Sequence, residues 1–147
     1  MDIDHEVRAV EGLMNEWHSL RVTEAYRRVH FTLLRDDALA RWNESSAHDS
    51  TTSHFVEHRV ARVESALTEV LELEERSDGS FALCRADMTV VDQLAPRDQT
   101  TTIARVRDIS SRALREEMRY RTTLLSTLHH EVNELARFID EKLGPTH

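Results

Sequence analysis

Glycine and proline are nearly missing from this chain, with three and two residues among 147. Turns depend on them, so a many-turned all-β fold is set aside in favour of a few long helices. Cysteine is just as scarce. Cys84 stands alone, which leaves no intrachain disulfide framework and no Cys-rich zinc site. Nor does the sequence hold a run of about 20 apolar residues to span a bilayer, or an N-terminal stretch resembling a signal peptide. The expectation is a soluble protein, cytoplasmic or otherwise intracellular, with no membrane partner. Positive charge is outweighed: the net charge is −8, which argues against a nucleic-acid partner. Lysine is almost absent, so the basic residues are arginines with one exception. Their guanidinium groups suit bidentate pairing with the abundant carboxylates.

What is present is apolar periodicity. Hydrophobic residues make up 39% of the chain, enough for one sizeable core at this length. In the first segment, about 2–42, Ile3, Val7, Val10, Met14 and Trp17 follow alternating steps of four and three, a helical seam. Val22, Tyr26, Val29 and Leu33 resume the pattern after a gap of five. That stutter predicts either local unwinding or a short break near Ser19–Thr23. Asp2 or Asp4 can cap the start. The polar stretch 43–53 reads as a loop, with an N-cap at Thr52 or Ser53. A second helix over about 54–76 carries Val56, Val60, Val63, Leu67 and Val70, and Asp78-Gly79 signals a turn. Residues 77–97 form a connector ending at Pro96. Its pieces Phe81–Cys84 and Met88–Val91 suit either a small β-hairpin within 80–91 or an irregular connection with apolar anchors.

The third segment, about 98–143, contains no glycine or proline. As one helix it would reach roughly 65 Å. It either breaks near its middle or makes the molecule elongated. Met118, Leu125, Leu128, Val132, Leu135 and Ile139 share one seam in which Arg121 fills a slot. Leu114, Leu124 and Phe138 widen that stripe toward the width a bundle needs. Gly144-Pro145 ends it. The fold expected is all-α: a single helical domain over 1–147, an elongated hairpin or bundle with coiled-coil seams.

Three clusters have the residue types of chemical sites. His130-Glu131-Val132-Asn133 resembles the start of the phosphoacceptor box of sensor histidine kinases. The resemblance implies an exposed His130 attacking a phosphoryl group beside an orienting acid. It covers about ten residues and lacks the proline expected shortly afterwards, and no Gly-rich ATP segment accompanies it. The alternative is a solvated histidine pair on a polar helix face. His54 and His58, at i and i+4, can meet one metal from one face, with His48 or Asp49 as a further ligand. Among nine histidines one such pair is expected by chance. Asp78-Gly79-Ser80-Phe81 through Cys84 resembles the entrance to the zinc finger of RNA-polymerase-binding coiled-coil regulators, but no second cysteine follows. Cys84 reads instead as a small buried hydrophobe.

No Ser-His-Asp order, phosphate loop or nucleotide fingerprint appears. The sequence therefore points to a non-enzymatic subunit or adaptor, without cofactor, that binds other helices as a homo- or hetero-oligomer. The expected association surface is Leu125, Leu128, Val132, Leu135 and Ile139, with Trp17 and Trp42 as anchors. Leu128→Asp would then abolish assembly. The alternatives are a helical-bundle metal or histidine-phosphotransfer protein, and a small helical chaperone or regulator.

Overall fold

A computed structural model describes residues 3–45 and 49–144. Among them there is no strand. The elements are α1 (Ile3–Glu44), α2 (Ser50–Thr89), a 3-10 turn (Val91–Gln93), α3 (Pro96–Glu116), a π-helical turn (Glu117–Arg121) and α4 (Thr122–Leu143). Asp2, His48 and Pro145 lie outside the described residues.

Each helix end has a local cause. Asp4 and Glu6 in the first turn of α1, and Arg41 in its last, oppose the ends of the helix dipole. The start of α2 falls earlier than the expected cap at Thr52 or Ser53, because Asp49 is the cap. Its carboxylate accepts the Thr52 backbone N–H at 2.7 Å and the Thr52 hydroxyl at 3.0 Å. These two bonds, the backbone one foremost, hold the Asp49 carboxyl below its ordinary range. The cap is therefore complete above the ordinary carboxylate range and lost as pH falls through the lowered value. Pro96 opens α3 at a position that needs no N–H donor. Gly144, at φ 82°, closes α4, its N–H donating to Asp140 at 2.8 Å.

The chain gathers into two compact units where the sequence suggests one domain. The first comprises Met1–Glu24 and Glu72–Thr122; the second comprises Ala25–Leu71 and Thr123–His147. In the first, Val10, Met14 and Trp17 of α1 pack with Phe81 and Cys84 of α2, Val91, and Ile103 and Val106 of α3. In the second, Phe31, Ala38 and Trp42 of α1 pack with Val56, Val63, Ala66 and Val70 of α2. Leu125, Leu128, Val132, Leu135 and Ile139 of α4 complete that core. Each unit is thus a three-helix core.

Four expectations need correction. Where a β-hairpin or irregular connection is expected at 80–91, residues 80–89 are instead the last turns of α2 and Val91 opens the 3-10 turn. Phe81, Cys84 and Met88, at steps of three and four, face the first core, while Leu83 is 70% exposed. Packing of that face overrides the strand preference of Met88–Val91. Trp17 fixes this stretch further: its indole N–H donates to Ser77 at 3.1 Å and its ring meets Phe81 edge-on at 5.2 Å. Secondly, α1 has no break at Ser19–Thr23; the Thr23 hydroxyl bonds the Ser19 carbonyl at 3.0 Å within a continuous helix. Thirdly, the long third segment is helical from Pro96 to Leu143 with a π turn in the middle. That turn inserts one residue into the repeat. Met118 is consequently 68% exposed, and Glu117 takes the inward place expected of Met118. Finally, Asp78-Gly79 is not a turn.

Gly79 lies inside α2 without positive φ, and a Cβ there would meet nothing within 4 Å. Gly79→Ala should therefore stabilise the protein by about 0.5–1 kcal/mol, read as a raised midpoint in thermal or urea unfolding. A lowered midpoint would restore the turn.

Candidate functional site

The first question is where α1 points its apolar groups. Its inward face beyond Trp17 runs through Glu24, Phe31 and Ala38, each seven residues from the last, all buried. A helix turns by about 100° per residue, so residues two positions to either side lie close to the opposite face. Those are Val22, Tyr26, Val29 and Leu33. They are 41%, 74%, 44% and 60% exposed. The stripe that the sequence presents as a resumed core seam is an outward seam.

Glu24 is the charged member of this inward face. A carboxylate buried to 3% exposure needs a cation, and Arg121, at 1%, supplies it. Arg121 Nε lies 3.0 Å from Glu24 Oε2 and 2.8 Å from Glu117 Oε2. Glu117 and Arg121 are the first and last residues of the π turn. No oxygen lines up with the Arg121 Nε–H as a hydrogen-bond acceptor, so at that nitrogen the contact is one of charge. All three residues belong to the first unit. Arg121 in an apolar seam was the readable sign of this cluster; nothing in the local sequence marked Glu24 or Glu117 as its partners.

The residues expected to form the association surface lie elsewhere. Leu125, Val132, Leu135, Ile139 and Trp17 have no exposed surface, and Leu128 and Trp42 have almost none. They close the two internal cores, because helices of the same chain cover the stripe that sequence alone leaves open. Leu128→Asp would place a carboxylate in that core and unfold it, so the substitution reports on folding and not on assembly.

His130 is exposed, as the phosphoacceptor resemblance implies. Its neighbouring acid is occupied: Glu131 is buried and pairs with Arg62 at 3.2 Å. His129 stacks on Phe31, centroids 4.5 Å apart and rings within 6° of parallel, covering the edge of the second core. His54 and His58 are both exposed on α2. Among the described residues no group of three His, Cys, Asp or Glu side chains converges on a metal position. An open depression of about 460 Å³ beside His54 is lined by Ser50, Thr51, Ser53, Phe55 and Glu57. Cys84 is buried, and burial first, then the Asp87 charge, pushes its thiol pKa up, away from a reactive thiolate. No described helix is long and apolar enough to cross a membrane.

Comparison of the chain with family models, with curated proteins and with solved structures finds no match.

The charge cluster makes a sharp prediction. Arg121→Met leaves two buried carboxylates without their cation and should cost about 3–5 kcal/mol in urea unfolding. Adding Glu24→Leu and Glu117→Leu to that variant should recover most of the loss, since well-packed apolar replacements of a buried triad are close to neutral. A triple variant no more stable than Arg121→Met would show that the charges are not coupled.

Proposed function

We propose that this protein is a non-enzymatic helical subunit that assembles with another protein helix through the outward face of α1. One observation carries the reading. Four large apolar side chains at steps of four, three and four remain exposed on a helix whose opposite face already fills two cores. Scattered exposed apolar residues are ordinary, but a continuous stripe with coiled-coil spacing is the form in which one helix receives another. Tyr26 is the central anchor, because tyrosine combines a large apolar ring with a polar tip suited to a wet rim. The partner is a protein surface, in keeping with the net charge of −8 and with arginines largely engaged by carboxylates. The setting is intracellular, in keeping with a single, buried, free cysteine. Among the described residues no third ligand converges with His54 and His58, and the acid beside His130 is paired with Arg62.

The test is made in the source cell with the full-length chain. Wild type should migrate in native size exclusion well above its own 17.1 kDa. The Tyr26→Lys/Leu33→Lys variant should fall to a smaller species while keeping wild-type helicity. A variant that migrates like wild type would remove the stripe from assembly.

A further inference from the structure

The π turn answers a mismatch written into the third segment of the sequence. Ile103, Val106, Ser110, Ala113 and Glu117 keep steps of three and four along the inner face of α3. Leu125, Leu128, Val132, Leu135 and Ile139 keep the same steps along α4. Extended backwards, the second series passes through Arg121, Met118 and Leu114. The two series therefore differ in phase by one residue, and one extra residue has to be absorbed where they meet. A π turn absorbs one.

Nothing in the sequence fixes where that turn must lie. Residues 97–143 contain no glycine or proline, so no breaker marks the place. Ala113 and Leu114 are both partly buried against the first core, so either series can supply that position. Two places for the turn are then open. In the one observed, at Glu117–Arg121, Glu117 is inside and Met118 is 68% exposed. With the turn one helical turn earlier, the inner series would run from Ser110 through Leu114 and Met118 to Arg121. Met118 would enter beside Arg121, and Glu117 would pass to water. One residue is inserted either way, so α3 before the turn and α4 after it keep their faces. Arg121 stays inside in both arrangements, so Glu24 keeps its cation in both.

Charge selects between them. Glu117 brings its Oε2 within 2.8 Å of Arg121 Nε, whereas Met118 offers only a thioether. Without that carboxylate, methionine is the better occupant of an apolar seam. We infer that the π turn is a movable register element. The Glu117 charge holds it at Glu117–Arg121, and loss of that charge sends it one helical turn toward the N-terminus. The device switches the surface of the first unit between an exposed Met118 and an exposed residue 117, while the helix remains unbroken.

The experiment follows the oxidation of Met118 in the purified full-length protein by dilute hydrogen peroxide, read residue by residue by mass spectrometry. Met14, buried in the first core, is the internal control for folding. In wild type, Met118 should oxidise at the rate of an exposed methionine and Met14 slowly. Glu117→Lys would set a second cation beside Arg121 in the observed place, so the turn should move. Met118 should then oxidise at least about tenfold more slowly, with Met14 still protected and circular dichroism unchanged. Glu117→Ala is the milder variant, for the case in which the lysine variant does not fold. It leaves a void that Met118 fills by the same shift, and Met118 should slow at least about threefold.

A folded variant in which Met118 oxidises as fast as in wild type, with Met14 protected, would overturn the movable turn. Unfolding of both variants would overturn it as well, since the turn would then have no second place to occupy.

Discussion

Arg121 is a guanidinium with almost no access to water, and the helices that meet it in the first unit neutralise it. Glu117 reaches it from one turn earlier on the same helical stretch, and Glu24 reaches it from α1. Magnitudes show how this constraint acts together with core burial against the outer stripe of α1. Turning α1 by half a revolution would bury Val22, Tyr26, Val29 and Leu33 for about 1.5–3 kcal/mol each. It would also expose Val10, Met14, Trp17, Phe31, Ala38 and Trp42, so apolar burial already favours the observed rotation. Withdrawing Glu24 from a buried arginine adds about 3–5 kcal/mol against the turned form. Core burial and the charge cluster act in the same direction, and the apolar stripe is left outside.

The π turn belongs to the same solution. An α-helix with no insertion would keep Met118 in the seam of Leu125 and Leu128, as its spacing suggests. The wider turn at Glu117–Arg121 shifts the phase by one residue, so that Glu117 and Arg121 enter together and Met118 leaves. Such a triad contributes little net stability compared with apolar residues of the same volume. What it contributes is selection of one helix rotation among several, in the manner of a buried polar residue that fixes register.

The sequence revealed elements better than orientations. All-helical architecture, the three apolar segments and the glycine stop at Gly144 could be read from spacing and from the scarcity of glycine and proline. The inner faces led by Val10, Met14 and Trp17, and by Val56, Val63 and Val70, could be read too. The hairpin weighed at 80–91, against an irregular connection, rested on Met88–Val91, which suit a strand by type. Only the partners supplied by α1 and α3 reveal that Phe81, Cys84 and Met88 share a helix face. The outward stripe was misread for a deeper reason. Periodicity assigns apolar residues inward and charged residues outward, and here Glu24 and Tyr26 do the opposite. A buried charge becomes visible only with its partner, and Arg121 is 97 residues away in the chain. Association was likewise placed on Leu125–Ile139, the strongest seam, which the chain consumes for its own core.

The account rests on α1 presenting Glu24 inward and Tyr26 outward. Hydroxyl-radical footprinting of dilute monomer, read residue by residue by mass spectrometry, tests this most directly. Tyr26, Leu33 and Met118 should be oxidised rapidly, while Trp17, Met14 and Trp42 are protected until the protein unfolds. Protection of Tyr26 and Leu33 together with rapid oxidation of Trp17 would mean that α1 is turned the other way and that no outward seam exists.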